Sequence, residues 1–152
     1  MSVESNILDN LETALRGILI ANGYQTDAGV NVFVNLEYET APDAELFPCI
    51  IMFPGQLSSG EDGDVPPCMG EQNNFLPVHI EAYALDDERG TEGRKIKEDL
   101  RKRVTAAGSF GGLVELVKDY KSAAEVQSAA DSFRSYVDAD FTFFYVTPWG
   151  ES

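Results

Sequence analysis

The apolar positions open with a helical rhythm. Ile7, Leu8, Leu11, Leu15, Ile18 and Leu19, with Ala14, recur at steps of three and four and predict one helix over roughly Glu4 to Asn22. Ser2 or Ser5 is placed to cap it, and Glu4 lies near the positive end of its dipole. Asn22-Gly23 offers a left-handed stop, since glycine reaches positive φ without steric cost. Val30, Val32 and Val34 then alternate with Asn31 and Phe33, predicting a half-buried strand that Leu36 to Thr40 can continue. Ala41 to Ala44 reads as a turn around Pro42. Pro48 opens an unbroken apolar run, Cys49 to Phe53, closed by Pro54-Gly55; such a run suits a strand covered on both faces.

The rhythm then stops. Gly55 to Asn74 holds four glycines, two prolines and the acids Glu61, Asp62, Asp64 and Glu71 in 20 residues. A stretch of this length without pattern is either a binding element, such as a protruding β-hairpin with an irregular tip, or a segment without fixed structure. From Phe75 to Leu85 the alternation returns, with Val78, Ile80 and Ala82 on one face and His79, Glu81 and Tyr83 on the other. Pro77 lacks a donor, which places it near the strand start or on an edge. Asp86-Asp87-Glu88 marks the exit into a second helix, roughly Thr91 to Ala107, whose docking face is Ile96, Leu100, Val104 and Ala107. Arg103 projects within that apolar stripe, so it is expected either to snorkel past the helix end or to pair with Asp99, four residues earlier. Gly108, Gly111 and Gly112 end the helix.

Leu113 to Tyr120 fits a strand or a helical turn, with the strand preferred, and Ser122 to Ser132 is polar and alanine-rich without an assigned element. The last strand is plain: Val137, Ala139, Phe141, Phe143 and Tyr145 alternate with Asp138, Asp140, Thr142 and Phe144, and Pro148 stops it. The order of elements predicts one α+β domain over residues 1–152, a mostly antiparallel, possibly mixed, sheet with two helices packed on one face and residues 55–74 as a protruding acidic loop or hairpin. Phe33, Tyr83, Tyr136 and Phe144 would then crowd the opposite face, which points to oligomerisation.

Charge changes this picture more than composition does. At 152 residues and 43% hydrophobic content, the chain can build a core without disulfides or metal. Cys49 and Cys68 are read as reduced thiols, with Cys49 buried. No window is apolar enough to span a bilayer, and Met1 to Glu12 carries no Lys or Arg, unlike a secretory signal. The net charge is −15, and it is segregated: Gly17 to Glu88 has 13 acids and no Lys or Arg, whereas Arg89 to Arg103 has seven cations against three acids. Removing that segment's +4 leaves −19 on the rest, a field that repels DNA and anionic membranes alike. The basic stretch is either a helix's solvated face or the half of an inter-subunit contact that meets an acidic neighbour, with Arg94, Lys97, Arg101, Lys102 and Arg103 as its candidate residues.

Catalytic patterns do not accumulate. His79 is the only histidine and sits mid-strand, so any Ser-His-Asp or Cys-His site would have to run through it, and no nucleophile elbow accompanies it. The cysteines form no closely spaced zinc pair, and there is neither a phosphate loop nor a dinucleotide fingerprint. Glu61-Asp62-Gly63-Asp64 lacks the alternate ligands and closing glutamate of an EF-hand. Among 26 acids nothing singles out a pair for glycoside hydrolysis. The expectation is no enzyme, no cofactor and no metal.

In order and pattern the chain resembles the tail terminator, or tail completion, proteins of long-tailed bacteriophages. The matching stretches are the N-terminal helix running into Ala21-Asn22-Gly23-Tyr24, the valine strand, Pro48 with Cys49-Ile50-Ile51-Met52-Phe53, the strand Phe75 to Ala84, the helix through Lys97-Glu98-Asp99-Leu100, and the ending Phe143-Phe144-Tyr145-Val146. The resemblance implies a late structural protein, made in the host cytoplasm and placed at the head-proximal end of the virion tail. There it would cap the tail tube as a homo-hexameric ring. Its partners would be other copies of itself, the tail tube protein and the head-tail connector or neck proteins. It implies no catalytic residues, and gives Glu61, Asp62, Asp64 and Glu71 a part in tube or neck contact. DNA would pass through an acidic lumen without specific binding. Another head-tail joining or tail-assembly protein fits the same residues, and a carboxylate-dependent enzyme stands as the third reading.

Overall fold

The first helix, α1 (Val3–Arg16), starts where Ser2 Oγ accepts the Ser5 N–H at 3.1 Å, and its stripe Ile7, Leu11, Ala14 and Leu15 is buried. In this computed structural model, which describes residues 2–35, 44–56, 58–59, 71–106, 114–129 and 132–148, α1 stops six residues before the predicted Asn22. The cause is the returning chain. Gly29 donates its N–H to Ile18 O at 2.9 Å, and a side chain at Gly29 would lie 2.3 Å from Leu15 O, so only glycine can close over this helix end. Ile18 stays buried, which is why the apolar rhythm outruns the helix. Gly23 does take a left-handed φ of 91°, but it closes the short 3-10 turn Ile20–Asn22 and not α1.

Five strands lie in the order β1 (Val32–Val34), β2 (Cys49–Pro54), β4 (Glu71–Asp86), β6 (Ser132–Pro148) and β5 (Leu116–Ala129), and β3 (Ser58–Ser59) pairs with β4 beyond the end of β2. The β1–β2 pair is parallel and the others antiparallel, so the fold is α+β with a mixed sheet and two helices, as the pattern of elements predicts. Cys49 to Met52 are buried on both faces of β2. The valine strand is shorter than expected. Val30 belongs to a 3-10 turn, and both it and Val34 are exposed because β1 is the sheet's edge. Residues 36–43, 107–113 and Cys68 lie outside the described residues.

Two boundaries move outward. β4 begins at Glu71, so the patternless stretch is shorter than residues 55–74, and β3 pairs Ser58 with Phe75 and Ser59 with Asn74. Pro77 is therefore mid-strand, on neither a start nor an edge. Its carbonyl accepts the Gly55 N–H at 2.8 Å, so the side that lacks a donor faces the break between β2 and β3. β5 runs on through Ser122 to Ala129, where its register on β6 pairs Ala124 with Val137 and Val126 with Ser135. Partnering by a long neighbour overrides weak strand propensity here.

The core fills one side of the sheet. Ile50, Met52, Leu76, Val78, Ile80, Ala82, Val137, Ala139, Phe141, Phe143 and Tyr145 meet α1 through Ile7 and Leu11 and α2 (Thr91–Ala106) through Ile96, Leu100 and Val104. Two aspartates start α2. Asp86 accepts the N–H groups of Glu92 at 3.0 Å and Gly93 at 2.8 Å and the hydroxyl of Ser135, while Asp87 accepts those of Arg89 and Thr91. Burial raises the Asp86 carboxyl, but these hydrogen bonds together outweigh it and hold the group below its ordinary range. A depressed folded pKa gives stability that is complete above the unfolded value and disappears as pH falls through the folded one. Asp86→Ala should therefore cost about 1–2 kcal/mol at neutral pH, as expected for a helix cap. The difference from wild type in urea melts should shrink once the pH is taken below about 4.

Candidate functional site

The basic residues of α2 divide into two groups. Arg94, Lys97 and Arg101 repeat at three and four residues along one flank, and Arg101 Nε donates to Asp119 Oδ2 of β5 at 2.7 Å, which fixes that flank above β5. Arg94 and Arg101 are exposed and Lys97 is half-buried. Lys102 and Arg103 occupy the opposite flank, toward α1. The Lys102 ammonium stands 5.1 Å from the centre of the Tyr24 ring. Arg103 Nε donates to Ala14 O at 2.8 Å, in the last turn of α1, where a cation suits the helix dipole.

So Arg103 neither snorkels nor pairs with Asp99. Gly17 makes this possible, because a Cβ there would sit 2.9 Å from the Arg103 guanidinium. Asp99 is itself buried and accepts the N–H groups of Gln25 at 3.1 Å and Thr26 at 2.9 Å and the Thr26 hydroxyl at 2.7 Å. Arg103 thus ties α2 to α1, Lys102 reaches Tyr24 in the chain after α1, and the other three candidate cations line an outer flank.

Of the acidic candidates, Glu61, Asp62 and Asp64 fall outside the described residues. Glu71 is exposed at the first position of β4, opposite Pro148 of β6. The pairing of β3 with β4 ties the chain on both sides of that segment to the same end of the sheet.

The sheet face away from the helices carries His79, with Nδ1 2.7 Å from Asp140 Oδ1 and Nε2 3.5 Å from Glu81 Oε2. The ring thus lies between two carboxylates, with its hydrogen bond made to Asp140. Glu81 also accepts the Tyr83 hydroxyl at 2.8 Å. Burial, then that hydrogen bond, pushes the Tyr83 phenol far up; burial and the charges of Glu81 and Asp138 push Tyr136 to about 12. Burial likewise pushes the Cys49 thiol to about 11, so it is not a thiolate at neutral pH. Among the described residues no three His, Cys, Asp or Glu side chains converge as metal ligands, and no helix is long and apolar enough to cross a membrane.

No protein-family model matches the chain, and no curated protein matches it. Its surfaces carry the argument alone, and they revise one expectation. The aromatics of the helix-free face largely satisfy one another: Phe144 is buried against Phe75 with ring centres 5.2 Å apart, Tyr83 packs on Tyr136 at 5.2 Å, and Phe47 stacks on Tyr83 at 5.9 Å. Phe33, Tyr83 and Tyr136 are half-buried. These aromatics are therefore mostly covered, while Leu85 and Leu116 on the same face remain exposed. Other exposed apolar side chains lie elsewhere, among them Ile20, Val30 and Val126. The strand register that puts Leu116 and Val126 on an edge has no signal in composition.

Proposed function

We propose that this chain is a structural, non-catalytic subunit that caps a bacteriophage tail tube as a homo-hexameric ring, meeting the tube on one side and the neck proteins on the other. The observation that carries the reading is the segregation of charge on the folded surface. Arg94, Lys97 and Arg101 form a basic flank over β5, on a chain whose net charge is −15. Opposite charges held apart on one molecule attract between copies and set orientation and register. The remaining acids suit a passage for DNA, since a negative lumen repels phosphates and keeps them from sticking. The resemblance in order and pattern to tail terminators supplies the particular assembly, and the α+β fold is compatible with it.

The deciding experiment adds the purified protein to polymerising tail tube protein and follows tube length by electron microscopy, with mass by light scattering. Rings at tube ends and an arrest of growth are expected at about one ring per tube. A monomer that leaves tube growth unchanged would rule the proposal out. Location at another level of an assembled particle would favour a different head-tail joining or tail-assembly role.

A further inference from the structure

We infer that the two outer strands of the sheet, among the described residues, face each other between copies, the β1 side of one subunit seating on the α2–β5 flank of the next. This rests on the ring reading and names the surfaces that would close it. β1 and β5 are the two ends of the strand order, so their outer edges lie on opposite sides of the molecule. Among the described residues, most of the exposed large apolar side chains lie toward these two sides, while Leu85 is exposed on the central strand β4. Ile20, Val30 and Val34 lie in β1 and the turns before it. Leu116 and Val126 lie toward opposite ends of β5 and on opposite faces, Leu116 beside Phe144 and Val126 beside Ser135, with Phe133 next to the Val126 end, where it pairs with Ser128. Distinct exposed apolar side chains on opposite sides fit a head-to-tail contact, the type that closes into rings, better than a two-fold contact, which reuses one surface.

Charge selects the same pairing. The turns around β1 come from the stretch without Lys or Arg, and they expose Asp27 and Glu45. Asn31 Nδ2 donates to Leu46 O at 3.1 Å, which holds the turn bearing Glu45 against the start of β1. Nearby on α1, Arg16 pairs with Glu12 at 3.1 Å and donates to Val32 O of β1 at 3.1 Å, as Arg101 pairs with Asp119 on the other side, so each side carries one paired arginine. The opposite side presents Arg94, Lys97 and Arg101, with Lys121 exposed on β5. Lys121 and Glu125 along the edge strand discourage indiscriminate strand addition. The contact is thus one of side chains, acidic edge on basic flank, around small apolar centres.

Two charge-reversed variants test this. Val30→Lys/Glu45→Lys makes the β1 edge basic, and Arg94→Glu/Lys97→Glu makes the α2 flank acidic; Val30, Glu45 and Arg94 are exposed and Lys97 is half-buried. Each variant alone should associate on the order of 100-fold more weakly than wild type, because like charges then face each other. An equimolar mixture should assemble again, since both junctions of an alternating, even-numbered ring become complementary. Sedimentation velocity reads this in solution, and tube-length distributions read it on tube ends. If the variants alone assemble like wild type, or the mixture stays apart while wild type assembles, the edge pairing is wrong and a ring could still stand. If wild type and the mixture assemble alike but neither stops tube growth, the edge pairing holds and the tail-capping role falls. Wild type that remains monomeric in solution and on tubes overturns both.

Discussion

Asp99→Ala is expected to lower the unfolding free energy by about 3 kcal/mol, enough to remove a large part of a domain's usual margin. Asp99 is 2% exposed and its carboxylate receives three donors: the N–H groups of Gln25 and Thr26 and the hydroxyl of Thr26, itself 1% exposed. Alanine leaves the two Thr26 donors buried without an acceptor, and that desolvation exceeds the net value of the bonds themselves. Asp99→Asn keeps one acceptor oxygen and turns an amide N–H toward a donor, so it should lose roughly 2 kcal/mol. Thr26→Val removes only the hydroxyl and should cost about 1 kcal/mol. Urea denaturation of the three variants checks the order. An Asp99→Ala protein within about 0.5 kcal/mol of wild type would mean that this contact does not tie α2 to the turn after α1. The consequence reaches the surface, because Asp99 on one flank of α2 fixes the rotation that places Arg94, Lys97 and Arg101 above β5.

That contact also shows what a sequence can and cannot disclose. Periodicity located both helices and the buried faces of β4 and β6, because side-chain direction follows from backbone period alone, and an unbroken apolar run located β2. It misplaced the end of α1, since Ile18 continues the apolar stripe after the backbone has turned away under Gly29. It missed most of β5, where Lys121 to Ser128 carry no strand signal and are held by pairing with β6 across the chain. The basic segment was visible as composition, yet its division was not. Arg103 reaches Ala14 and Arg101 reaches Asp119, at sequence separations of 89 and 18 residues, so only the fold decides which cations face outward. Helical spacing suggested Asp99 as the partner of Arg103, but the buried donors of Thr26 claim it.

Phe143→Ala should destabilise by about 3–5 kcal/mol, while the adjacent Thr142→Ala should cost less than about 1 kcal/mol. Phe143 is fully buried on the helix side of β6, paired across the sheet with Leu76 and Val117, and its removal opens a cavity that these neighbours can only partly fill. Thr142 points to the other face, beside Pro77 and Lys118, and is half-buried. Thermal or urea melts of the pair therefore test register directly, because a slip of one residue sends every side chain of a strand to the opposite face. Were Thr142→Ala the more damaging change, Asp138 and Asp140 would belong under the helices. Every surface assigned from β6 outward, including the β5 edge below the basic flank, would then have to be redrawn. A large loss at Phe143 beside a small one at Thr142 instead fixes the sheet so that Asp119 meets Arg101 on the helix side and Lys121 lies opposite Asp140 on the other. The position of the basic flank relative to the β5 edge depends on that arrangement.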